Sequence, residues 1–536
     1  MGRAVLLHTF RLGAAIAAAG LLCGSAAMAG PPPAKVDPSS YGMTADGTFV
    51  HPKAAPSTTY AGPNPVKGSL SYLEQKQYIK NMKVEAHWDI VVRPGHTWQH
   101  FVDMNGRRYM FHYYREFVRV YDVTDPVHMT TVLNKTYTDG SWFGAASIAF
   151  NKKLDKWIMI QTFEVPRSHG GLDDKKYSDP AAAARVMSAP GFRGFRVYEL
   201  KSPTEWVQLA EVSMDLLNPH ATVQQGGGGY DVPHYVGGKY AYLLGAPDNT
   251  FTHMEFSNQL YSPIHMIYDM EDPSNPKLVS SWWAPGQRLG EEDAYAKWPS
   301  AGDHTSWTGG RLPMELPVEI EDGGRYGYTA MGSLGFYIVD LLDPTKPRTV
   351  SSLQLSNGVG GVDGDHVDVS RVVRRGIVLT GGYPMNEDCY EPWKDVSIID
   401  VKDPANPKVI SVLPRPVPPK SAPYKDFCLR RAKFGPKRAS PYYSPGVSDP
   451  NIAVYPYFNA GVQLYDISDA TKPKNVGYFV PPLGGKLGGD LSSYNSPTES
   501  VHVEWDRKLV WLFNTDGIYL LSSPVLGKPV LDGLVK

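Results

Sequence analysis

One phrase recurs along the chain and limits what it can become. It reads LGFYIVDLLDPTK at Leu334–Lys346: an apolar run of period two that reaches an Asp and stops at Asp-Pro. It returns as FVRVYDVTDP (Phe117–Pro126), FRVYELKSP (Phe195–Pro203), HMIYDMEDPSNP (His265–Pro276) and VSIIDVKDPANP (Val396–Pro407). Two further versions are VQLYDISDATKP (Val462–Pro473) and the worn GIYLLSSP (Gly517–Pro524). Period two marks a strand, Pro cannot enter a central ladder, and an Asp side-chain oxygen caps the turn. Seven copies of one such unit define a repeat protein.

Each repeat parses into four strands. The first gives QHFVDMNG, RRYMFHYY, FVRVYDV and MTTVLNKT; the fifth gives DHVDVS, RRGIVLTGG, VSIIDV and KVISVLP. The reading is therefore all-β: a seven-bladed β-propeller of four-stranded antiparallel blades, each packing only on its neighbours. After IYLLSS the last repeat lacks a fourth strand, and AHWDIVV, ahead of the first blade, is expected to supply it and close the ring.

The phrase, of the form (I/V)-x-(I/V)-x-D-(I/V)-x-D-P-x-x-P, resembles the LVIVD-type propeller repeat of secreted bacterial proteins, from about Lys83 to Pro524. That resemblance implies a fold and not an activity, because propellers host many unrelated functions.

Residues 1–29 carry Arg3 and Arg11, an apolar stretch and Ala27-Met28-Ala29, the pattern of a cleaved Sec-type signal peptide. Export to the periplasm or beyond is expected. Residues 30–82 are Pro-, Ser- and Gly-rich and read as a leader draped over the domain or left mobile; residues 83–536 are the propeller. Net charge is −1, which leaves no basic footprint for nucleic acid, and no other apolar run is long enough to span a membrane. Signal cleavage would leave Cys389 and Cys428, expected as one disulfide or as two thiols. If bonded, they would pin the insertion SAPYKDFCLRRAKFGPKRASPYY over one mouth of the channel.

Histidine is the chemistry-bearing residue. The innermost strand opens with His100, His234, His304, His366 and His502 in five of the seven repeats, and loops at the same mouth bring His169 and His253. Imidazoles equivalent by repeat converge on the axis, where burying several unpaired is costly. A shared metal accepting their lone pairs removes that cost. Imidazole donors suit copper, zinc, iron or nickel, and argue against calcium and magnesium. The bland reading is a structural histidine, duplicated by the repeat, that bonds the neighbouring blade's backbone. Asp303 and Asp365 precede two of the histidines and either orient an imidazole N–H or close a turn. Glu291-Glu292-Asp293 reads as a solvated loop or a cation site, and Lys83, Arg167 and Lys420 as cations that could attract a small anion.

The layout of an exported propeller with channel histidines is similar to thiocyanate dehydrogenase, a periplasmic family with a three-copper centre that oxidises thiocyanate to cyanate and sulfur. More loosely it is similar to carotenoid-cleaving oxygenases, which hold one iron through four histidines. The resemblance implies a copper-dependent oxidoreductase with a small-molecule substrate and a periplasmic electron acceptor. The alternative is a non-catalytic propeller that binds a protein or glycan.

Overall fold

The structure is a computed structural model. It describes residues 69–90, 98–113, 117–137, 142–164, 191–213, 231–245, 264–288, 290–295, 297, 325–355, 362–384, 394–441, 443–483 and 497–535. The chain divides into two compact units, residues 1–37 and 38–536. The first, with the expected signal peptide, lies outside the described residues.

Seven antiparallel sheets form the blades of a β-propeller with almost no helix. Their strands are lettered a to d from the channel outward. Blade one is a regular example, with a at Trp98–Met104, b at Arg107–Tyr113, c at Phe117–Asp122 and d at Thr130–Thr136. Strand c is in each case the recurring phrase.

The two aspartates of the phrase do separate work. The first ends strand c: Asp340 Oδ1 accepts from Leu342 N at 3.0 Å, and Asp400 and Asp466 repeat the contact. The second folds the Asp-Pro turn, with Asp343 Oδ1 accepting from Thr345 N at 3.0 Å and Asp403 and Asp469 doing the same. These local bonds divert the backbone from extending the ladder. The turns then hook the blades together. Ser280 Oγ donates to Pro344 O at 2.6 Å, Ser351 Oγ to Pro404 O at 2.6 Å and Ser411 Oγ to Ala470 O at 2.5 Å. Each is a strand d hydroxyl reaching the next blade's turn.

The ring closes as the sequence predicts, with shifted bounds. Lys83–Trp88 pairs with Gly517–Ser522 and is strand d of blade seven, and Trp88 stacks on Trp511 with centroids 5.6 Å apart. Just upstream, Tyr78–Lys80 pairs with Lys474–Val480 at the outer edge of blade six. Residues 69–82, expected as part of the leader, are thus packed on the propeller, and Glu74 is buried.

Blade six departs from the expected parse. SDPNIAV reads as its innermost strand, but Ile452–Pro456 pairs with the phrase strand Val462–Asp466 and is therefore strand b. Among the described residues no strand lies inside it. The irregular, buried segment 431–441 runs there instead: Lys437 N donates to Pro456 O at 3.0 Å, and Arg438 bridges Ser500 on blade seven. Pro436 and Pro441 explain the irregularity, since neither can donate to a ladder. In blade four the described strands are b, c and d, at Tyr326–Ala330, Phe336–Asp340 and Arg348–Leu353. The segment expected to carry His304 lies outside the described residues.

Candidate functional site

Strand a places His100, His234, His366 and His502 beside the channel, 5%, 5%, 3% and 2% exposed, so all four imidazoles are inside the protein. His169, His253 and His304 lie outside the described residues.

The four do not sit at one level. His100, His234 and His502 pair with Phe111, Tyr242 and Trp511. Those residues pair with Val120, Ile267 and Leu520, equivalent positions two residues before the end of strand c. His366 pairs with Gly381, which pairs with Val396 at the start of its strand c. A register shift between Val362 and His366 accompanies the offset. Two residues along a strand is about 6.6 Å, so His366 stands one pleat nearer the mouth. Among the described residues, no three His, Cys, Asp or Glu side chains converge closely enough to hold a metal ion.

A looser cluster centres on His502. His100, His112 and His366 all lie within its electrostatic reach, and with burial as the main cause they hold its pKa down to about 3. Phe101 and Phe513 pack around its ring, with centroids at 5.3 and 6.3 Å. His100 is lowered to about 4 by burial, partly opposed by a hydrogen bond to the backbone of Ile148 on blade two. Its Nδ1 is buried and has no hydrogen-bond partner among the described residues. Beside it, Gln99 Oε1 accepts from Ser500 Oγ at 3.0 Å, while Gln99 Nε2 has no partner among the described residues. His366 is lowered to about 4, chiefly by burial; Asp365 and Asp368 raise it, while Arg438 and Lys437 lower it.

Two buried histidines escaped the sequence reading. His112 is in strand b of blade one against Phe513, and His265 is in strand c of blade three, its Nε2 2.8 Å from Thr329 Oγ1 on blade four. Each interrupts an otherwise apolar strand, RRYMFHYY or HMIYDM, and that was the available signal. The insertion SAPYKDFCLRRAKFGPKRASPYY was expected over the mouth, but the contacts of Tyr443 with His100 and of Ser444, just past it, with His502 were not foreseen.

Other expectations resolve differently. Asp365 Oδ2 accepts from Lys437 Nζ at 2.7 Å, and both side chains are 1% exposed. Glu291 is a structural acceptor for Trp283 Nε1 at 3.0 Å and Gly286 N at 2.7 Å. Lys83 pairs with Glu85 on the outer strand of blade seven, away from the channel, and Lys420 is exposed. Arg167, Asp303 and Cys389 lie outside the described residues. Cys428 is disulfide-bonded.

His112 and His265 make a pH prediction. Burial lowers each from 6.5 to about 3, with small additions from Arg119 and His234 respectively. Both are neutral in the fold, so the unfolded chain takes up protons first as pH falls. Their stabilisation is complete above about pH 6.5 and declines toward pH 3, by up to about 1.4 kcal/mol per pH unit for each imidazole. Urea unfolding between about pH 7 and pH 5 is expected to show this slope. His265→Gln should be the less steep of the two proteins, and equal slopes would contradict the assignment.

No family model matches the chain, and no curated protein sequence matches it. Among solved structures, periplasmic gluconolactonase from Pseudomonas aeruginosa is similar at 9% identity and TM-score 0.43, over 84% of this chain and 94% of that one. A chain of the COPII outer coat vertex is similar at 10% identity and TM-score 0.43, over 80% and 84%. Chaetomium thermophilum Raptor is similar at 9% identity and TM-score 0.44, over 83% of this chain and 29% of that one. None of these likenesses bears on function.

Proposed function

We propose that this protein is an exported, metal-dependent oxidoreductase acting on a small molecule at the histidine mouth, with copper as the metal. The observation that carries the reading is His100 Nδ1, a buried ring nitrogen on the innermost strand with no hydrogen-bond partner among the described residues. The neighbouring His502 is held neutral by burial, as a metal donor must be. The donor chemistry therefore fits a transition metal. His100 and His502 would contribute, and His234 and His366 stand on the same innermost layer. Any site of three ligands would draw on His169, His253 or His304. Copper, when bound, would accept electrons and polarise the substrate.

The chain's own residues do the rest. Phe101 and Phe513 exclude water from the His502 ring, and Tyr443 packs flat on His100, with centroids 4.6 Å apart. Thiocyanate is the first substrate to try. Its oxidation to cyanate and sulfur takes up water and releases two electrons and two protons to an external acceptor.

The test is a competition titration of the metal-free protein with copper. His100→Ala and His502→Ala are expected to weaken binding about tenfold or more. Unchanged affinity in both variants, or no binding by the parent protein, would overturn the reading.

A second reading, a non-catalytic binding propeller, has one observation in its favour. His100 bonds the backbone of blade two, and His265 bonds Thr329 of blade four, as structural histidines between blades do. It predicts that histidine variants lose stability and no metal.

A further inference from the structure

The insertion between blades five and six is anchored far from the channel and delivers two residues to it. Arg430 Nε donates to Glu74 Oε2 at 2.9 Å, and its Nη2 donates to Pro481 O at 2.7 Å. Tyr424 and Tyr78 donate to the same buried Glu74 at 2.9 and 2.5 Å. Cys428 adds a disulfide. From this anchor the buried segment 431–441 runs inward and presents Tyr443 to His100 and Ser444 to His502.

The hydroxyls there form a chain with few arrangements. Val503 N donates to Ser440 Oγ at 2.9 Å. Ser440 Oγ lies 2.8 Å from Ser444 Oγ, which lies 3.4 Å from His502 Nδ1. If Ser440 donates to Ser444 and Ser444 donates to His502, every hydroxyl proton in the chain has an acceptor. The reverse order makes His502 Nδ1 the donor and leaves the Ser440 proton with no acceptor in this network. Buried hydroxyls avoid that arrangement.

His100 is fixed from the other side. It hydrogen-bonds the Ile148 backbone; were the Ile148 N–H the donor, the ring proton would stand on the buried Nδ1 with no acceptor among the described residues, so the carbonyl accepts from the ring. Nδ1 has no partner, so the donor is Nε2 and Nδ1 carries the lone pair.

We propose that the insertion polarises the histidine mouth: the Ser440–Ser444 pair makes His502 an Nε2–H donor, while His100, clamped between Tyr443 and Ile148, presents an Nδ1 acceptor. Adjacent blades then offer one donor and one acceptor. A small ligand carrying both functions, such as water or a protonated substrate, is the class this pair recognises. The inference concerns the site of the proposed function but needs no metal. A metal would take His100 Nδ1 as it stands, and would take His502 Nε2 only after its proton moved to Nδ1 and both hydroxyls reversed.

The test is nuclear magnetic resonance of metal-free full-length protein carrying ring-¹⁵N histidine. His100→Gln and His502→Gln spectra assign the two rings by loss of signal. In the parent protein both are expected as Nε2–H, with the His502 Nδ1 resonance at a hydrogen-bonded lone-pair position. Ser444→Ala should move that resonance to the unbonded position, and Ser444→Thr should restore it. An Nδ1–H tautomer at His502 in the parent protein would overturn the proposal, as would an Nδ1 resonance unchanged by Ser444→Ala. The parent spectrum decides even if a variant fails to fold. A parent that binds no copper but shows these tautomers sinks the metal reading and leaves this inference standing.

Discussion

Deleting Lys83–Trp88 is expected to abolish the folded ring. The segment is the outer strand of blade seven, although it precedes blade one in the chain, and its register spans Lys83 against Ser522 to Trp88 against Ile518. Without it the Gly517–Ser522 strand becomes an open edge, and Tyr519 and Leu521, 4% and 0% exposed, are uncovered. The deletion also removes the Trp88–Trp511 stack and the His87–Tyr519 stack, whose centroids are 5.6 and 4.0 Å apart. Trp88 is half-buried, so its own loss falls below the about 3–5 kcal/mol of a fully buried Trp, but it adds to the loss of a whole strand pairing in a domain whose stability is about 5–15 kcal/mol. The variant should be recovered as aggregate, or as a soluble species with no cooperative unfolding transition in urea. A soluble protein that unfolds cooperatively at the parental midpoint would contradict this account of closure.

Glu504→Ala should be the most damaging single substitution at the same seam. Glu504 is fully buried and accepts from Arg108 Nη1 at 2.7 Å, Arg507 Nη2 at 2.8 Å and Trp511 Nε1 at 2.6 Å. Arg108 belongs to blade one, so the carboxylate ties the first blade to the last. Arg108 keeps Asp103 and Asp506, at 2.7 and 2.8 Å, and Arg507 keeps the Thr124 and Val123 carbonyls at 2.9 and 3.0 Å. Those partners limit the damage but do not replace the buried charge. Removing one member of a buried pair costs about 3–5 kcal/mol, because it leaves uncompensated charge inside. Glu504→Gln, which keeps shape and acceptor, should lose less. Urea unfolding of both variants checks the order, and equal stability of Glu504→Ala and parent would contradict the role.

The phrase ending in Asp-Pro made the blades legible because each of its residues has a local job. Alternating apolar residues make strand c, one Asp ends it and the next folds the turn. Closure by a segment ahead of blade one followed from a missing strand and an edge that must be covered. Blade six was misread because SDPNIAV has strand composition, and composition does not say which neighbour a strand takes. Its place beside the channel went to 431–441, whose prolines mark it as irregular but whose burial depends on Glu74, 356 residues from Arg430. His100, His234, His366 and His502 were legible on the innermost strands. Their levels were not: the two-residue offset of His366 goes with a register shift in its strand that no residue type announces. His112 and His265 were visible as polar residues inside their strands, yet the bond of His265 through Nε2 is settled by Thr329 of the neighbouring blade.

The most direct test of the central claim is the metal content of the protein, expressed from its full sequence, purified without added metal and measured by elemental mass spectrometry. The account predicts copper in stoichiometric amount, at least one atom per chain, lost together with His100 and His502. A chain that holds no metal even after incubation with copper would contradict it and leave a binding propeller whose histidines are structural.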